Sequence, residues 1–121
     1  MKIESKLGLV DYDDDDNIEM IIRKCAVGRD DIWICGDSEY PCLAISVNGE
    51  NAVVHYFSSK QDGHYQSIGN NDTDGTTEFL AGGEIWEAPN YIMVPLSSAI
   101  QCAKQFLISQ ERPSCIEWDK I

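Results

Sequence analysis

At 121 residues the chain holds one domain, 1–121, with room for a sizeable core and no apolar run near membrane-spanning length. Its 21 acids against 9 bases leave a formal net charge of −12, which disfavours nucleic acid and anionic membrane surfaces as partners. Five cysteines, an odd number without a C-x-x-C pair, point to buried reduced thiols rather than a disulfide framework.

The opening stretch MKIESKLGLVDYDDDD carries two lysines but no continuous apolar region or small-residue cleavage site. No signal peptide is expected, and the cytoplasm is the expected compartment. Weak alternation of Ile3, Leu7 and Leu9 predicts a first strand within residues 2–10. Asp11, Asp13, Asp14, Asp15 and Asp16 repel one another and resist burial, so they form a solvated loop. The loop leads into a helix whose Ile18, Ile21, Ile22 and Cys25 share a face, with Asp16 or Asn17 as cap and Gly28 as a left-handed stop.

Residues 31–35 predict a short strand. The runs 42–47 and 52–58 flank Asn48-Gly49-Glu50-Asn51, a hairpin signal because Asn-Gly tolerates positive φ. Residues 64–68 are a further strand, 69–75 a polar loop, and 76–80 and 84–86 two strands separated by Ala81-Gly82-Gly83. Residues 91–94 are expected as a last strand before the final helix. In that helix Ala99, Ile100, Ala103, Phe106 and Leu107 form one apolar stripe. Ser97 or Ser98 is the expected cap, and Pro113 ends the helix. Ile116 and Trp118 then alternate with polar neighbours as in a half-buried strand. The sum is an α+β domain: an antiparallel meander of about five to seven strands with two helices packed on it. One side of the sheet is expected to be covered, leaving the other side or the loop edge for recognition.

Catalytic, cofactor and metal sites find no support. Counted from Asn70, the polar loop imitates the first half of a calcium loop, but position twelve is Ala81 where a bidentate Glu is needed. The Cys and His residues lack zinc spacing, and no local sequence supports an activated nucleophile. Gly82-Gly83 precedes a strand, not a helix, so it builds no phosphate cradle. Phe106, Trp33 and Trp118 are expected in the core. Between residues 30 and 95, however, eleven acids oppose the single base Lys60, an asymmetry that points to a basic partner.

The tail carries Leu96-Ser97-Ser98-Ala99, Ala103-Lys104-Gln105-Phe106-Leu107, Gln110-Glu111-Arg112-Pro113 and Ile116-Glu117-Trp118. It resembles the closing motif of the immunity protein one family of bacterial polymorphic toxin systems, which include contact-dependent growth inhibition. Ala99, Ala103, Phe106, Arg112, Pro113 and Trp118 stand at the family's positions. The hairpin at 43–58 and the segment 84–95 are similar too. Gln110-Glu111 departs from the Gly-containing turn the family often carries there.

The resemblance implies a non-enzymatic cytoplasmic inhibitor. Such a protein binds the toxic C-terminal domain of its sibling toxin, often a nuclease or deaminase with a basic surface, as a one-to-one heterodimer. It does not transfer interface residues. Charge and turn position nominate Asp62, His64, Tyr65, Asp72, Asp74 and Glu87 for contact, with Asp13, Asp14, Asp15 and Asp16 as steering charge. Without the resemblance, a small α+β enzyme or ligand-binding domain, or an acidic adaptor subunit, remains open.

Overall fold

The computed structural model describes residues 2–5, 8–11, 17–36, 39–59, 63–69 and 74–121. The chain runs β1 (Lys2–Ser5), β2 (Gly8–Asp11), α1 (Ile18–Cys25), β3 (Arg29–Cys35), β4 (Cys42–Asn48), β5 (Asn51–Phe57) and β6 (His64–Ile68). It continues through β7 (Thr76–Ala81), β8 (Glu84–Pro89), β9 (Val94–Pro95), α2 (Leu96–Ser109) and β10 (Glu117–Lys120). The α+β expectation holds.

Alternation builds the sheet. β3 buries Ile32 and Ile34 on one face and turns Asp31 and Trp33 to the other. β4 splits Leu43, Ile45 and Val47 from Cys42, Ala44 and Ser46, and β5 splits Ala52, Val54 and Tyr56 from Val53, His55 and Phe57. The β4–β5 loop is two residues long, and Gly49 supplies the positive φ (61°) that such a tight reversal needs. Seven strands pair antiparallel in the order β10-β6-β5-β4-β3-β1-β2, and β9 joins the start of β5. β7 and β8 form a separate ribbon whose turn places Gly82 and Gly83 at φ 61° and 82°.

Both helices lie on one face. Ile18, Ile22 and Cys25 of α1 and Ala99, Ile100, Ala103 and Phe106 of α2 share a core with Ile3, Ile34, Ile45 and Val54. The alanines, fully buried, let α2 approach closely, and burial of Phe106 contributes roughly 2–3 kcal/mol. Glu19 accepts hydrogen bonds from Arg23 at 3.0 Å and Lys104 at 3.1 Å, joining α1 to α2. Those two donors, Arg23 first, hold its carboxyl below the usual range. Past α2, Gln110 takes the left-handed conformation (φ 54°) and its N–H donates to the Phe106 carbonyl. That is the place where a glycine turn would sit. Trp118 then packs against the core and its indole N–H donates to the Pro113 carbonyl at 2.7 Å.

Several expectations need correction. The first strand expected within 2–10 is present as β1, and a second, β2, pairs with it, so the chain reverses inside that span. Residues 91–94 hold a 3-10 turn (Asn90–Ile92) and only the two-residue β9, because the Met93 N–H closes back on the Asn90 carbonyl. Neither Ser97 nor Ser98 caps α2: the helix starts at Leu96, whose N–H donates to the Glu50 carbonyl at 2.8 Å. Asn17 precedes α1 but makes no side-chain cap, and Ala26, not a left-handed Gly28, closes the other end. Cys35 and Cys42 form a disulfide, since the β3–β4 register sets them directly opposite with Cα atoms 4.2 Å apart. Cys25, Cys102 and Cys115 are in no disulfide, the first two buried as expected.

Candidate functional site

The face opposite the helices is not left bare. The β7–β8 ribbon lies across part of it, and Phe79 and Ala88 pack on Val53 and Ile92 in a second small core. Polar contacts hold the ribbon in place. Ser46 donates to the Leu80 carbonyl at 2.8 Å, Asn48 donates to the Glu78 carbonyl at 2.9 Å, and Asp31 accepts from the Gly82 N–H at 2.6 Å. Arg29 pairs with Glu78 at 2.7 Å.

Beside the ribbon an aromatic strip crosses the strands. Trp33 stacks on Phe57 with centroids 5.6 Å apart and planes 8° apart. Phe57 lies between His55 at 6.1 Å and His64 at 4.9 Å, and Trp86 of the ribbon approaches His55 at 5.7 Å. These side chains are half-buried, available for contact yet fixed by one another. His55 bonds Gln66 at 3.1 Å, and its burial lowers its pKa against the opposing effect of that bond. Exposed carboxylates surround the strip: Glu4 stands opposite Trp33 on β1, Glu39 follows β3, Glu84 and Glu87 lie on β8, and Asp119 stands opposite Gln66 on β10. Half-buried aromatic rings inside a charged rim share the composition of many protein-binding surfaces.

Of the expected contact residues, His64 joins this strip. Tyr65 faces the other way, onto the helix-side core, with the Arg112 guanidinium 4.1 Å over its ring. Glu87 is exposed on the ribbon opposite Glu78. Asp74 is exposed just before β7, where its carbonyl accepts from Asn90 at 3.5 Å. Asp13, Asp14, Asp15, Asp16, Asp62 and Asp72 lie outside the described residues. The sequence reading missed Trp33, which it placed in the core. The signal was present: Ile32 and Ile34 claim the core face, so Trp33 must point away. It also missed His55, Phe57 and Trp86, which only the sheet register brings together.

Among the described residues no group of three or more Cys, His, Asp or Glu is placed to hold a metal ion. The Cys102 thiol lies 3.1 Å from Cys115, and burial first, then that hydrogen bond, pushes its pKa up, the reverse of what a nucleophile needs. No helix among the described residues is long and apolar enough to cross a membrane.

Comparison with known proteins identifies a family over nearly the whole chain: residues 6–120 match the family described as immunity protein Imm1. A protein of Burkholderia cenocepacia (strain H111), described as a double-stranded DNA deaminase immunity protein, is 27% identical over 119 residues, covering 94% of each chain.

Proposed function

The chain belongs to the Imm1 family of immunity proteins, and from that premise we propose that it binds and neutralises the toxic C-terminal domain of a cognate bacterial toxin. The family match over residues 6–120 is the observation that carries this reading. The target is a nuclease or deaminase, a choice supported by the description of the Burkholderia relative as a double-stranded DNA deaminase immunity protein. Such a domain needs a basic surface for its polyanionic substrate, and a net charge of −12 complements it. The immunity protein does no chemistry of its own: it acts in the cytoplasm by occupying the surface its partner uses, in a one-to-one complex. An interface of about 1,600 Å² in total would suit a pair of this size.

The test is protection. The C-terminal domain of the candidate cognate toxin, sought in the gene immediately upstream, is induced in a sensitive bacterium with and without this chain. Survival restored by the chain supports the reading. Continued killing, with the chain present at comparable levels and folded, overturns it.

A further inference from the structure

Trp33 lines two clefts on the outer face. One, of about 460 Å³, is lined by the Cys35–Cys42 pair, Tyr40, Glu4 and Glu39. The other, of about 450 Å³, lies against the same indole and is lined by Glu4, Asp31 and the turn at Gly82. Glu4 serves both. Lys2 is the one base among the described residues lining either cleft. The stack on Phe57 fixes the indole before any partner arrives. Glu4 and Glu39 are exposed, and no ion pair engages them among the described residues.

An indole face flanked by carboxylates is suited to a cation. Tryptophan is the strongest aromatic partner for one, and carboxylates add charge-assisted hydrogen bonds. An apolar plug would desolvate Glu4 and Glu39 without pairing them, and an anion would be repelled. Arginine fits better than lysine, because a planar guanidinium can stack and bind a carboxylate through two N–H groups at once. We infer that the Trp33 clefts receive an arginine side chain of the toxin domain, its guanidinium on the indole and paired with Glu4 or Glu39. This rests on the immunity reading and names where, and by what chemistry, the partner is anchored.

The experiment measures binding of a catalytically inactivated form of the candidate toxin domain by surface plasmon resonance. Four forms of the full chain are compared: wild type, Trp33→Ala, the pair Glu4→Gln with Glu39→Gln, and Glu50→Lys. The last two change the net charge equally, but Glu50 sits in the β4–β5 turn, at the end of β5 away from Phe57. The expected result is at least tenfold weaker affinity for Trp33→Ala, at least fivefold for the glutamine pair, and less than twofold for Glu50→Lys. One toxin arginine should lose its contribution in the Trp33→Ala background. If Trp33→Ala fails to fold, the glutamine pair decides, since both its sites are exposed. Wild-type binding with the glutamine pair unaffected, or affected no more than Glu50→Lys, overturns this inference and leaves the immunity reading intact. No wild-type binding overturns the immunity reading itself.

Discussion

Two residues show how single positions constrain this molecule. His55 is half-buried between Phe57 and Trp86, and burial makes its charged form costly. Its pKa is therefore lowered from 6.5 in the fold, so the unfolded chain takes up its proton first on acidification. The sign follows: the contribution to stability is complete above 6.5 and is lost as pH falls from there toward the folded-state value. Urea midpoints should stay level from about pH 8 to 7, then drop by about pH 5.5, and His55→Gln should flatten that slope. Glu19, whose pKa is lowered by Arg23 and Lys104, adds its own loss only further down, in the range below 4.5. Gly69 is constrained by space. A Cβ there would sit 1.8 Å from the Met93 carbonyl oxygen, and the Gly69 N–H already donates to the Tyr91 carbonyl at 2.7 Å. Both neighbours are backbone and cannot rotate away. Gly69→Ala should cost about 1–3 kcal/mol, read as a Tm lower by roughly 4–12 °C.

Among the elements, the tail acts as a clasp. Ala99 and Ala103 set the depth of α2, Gln110 turns the chain, Arg112 covers Tyr65, and Trp118 reaches back to Pro113. The residues that carry the family resemblance thus hold the scaffold together rather than line the aromatic strip. Trp118→Phe tests this, because it keeps a ring against the core while removing the N–H donor. The expected loss is about 1 kcal/mol, a Tm drop of roughly 4 °C, with toxin binding unchanged below the melting range. This division explains what was legible in the sequence. Local patterns (the Asn-Gly turn, the alternation in β3 to β6, the apolar stripe of α2) depend on neighbours in the chain and were readable. The β1–β2 reversal, the Cys35–Cys42 disulfide and the ribbon lying over the outer face depend on pairings between segments. The aromatic strip is the extreme case: it draws on β3, β5, β6 and β8, and no window of sequence contains it. Even α2's start was decided at a distance, since the Leu96 N–H pairs with the Glu50 carbonyl and the helix begins before either serine.

Among the described residues, charge leans by layer across the molecule, with Lys2 an exception among the bases on the outer face and Glu19 one among the acids on the helix side. Arg23 and Lys24 lie on α1, Lys104 on α2, and Arg112 over Tyr65, so these bases gather on the helix side. Glu4, Glu39, Glu84, Glu87 and Asp119 lie on or beside the outer face, where Arg29 is already engaged by Glu78. The separation gives the field a direction as well as a sign. On the proposed immunity reading, a cationic toxin domain would be drawn toward the outer face and turned to meet it, which would raise the rate of productive encounter. Screening shortens the reach of that field from about 30 Å at 0.01 M salt to about 3 Å at 1 M, while contacts already made and dehydrated are screened much less. Salt should therefore act on association far more than on dissociation. Between roughly 20 mM and 500 mM salt, the association rate with the toxin domain is expected to fall at least tenfold, and the dissociation rate to change less than threefold. Stopped-flow mixing followed by chase dissociation measures both. An association rate indifferent to salt would mean that the carboxylates serve solubility alone.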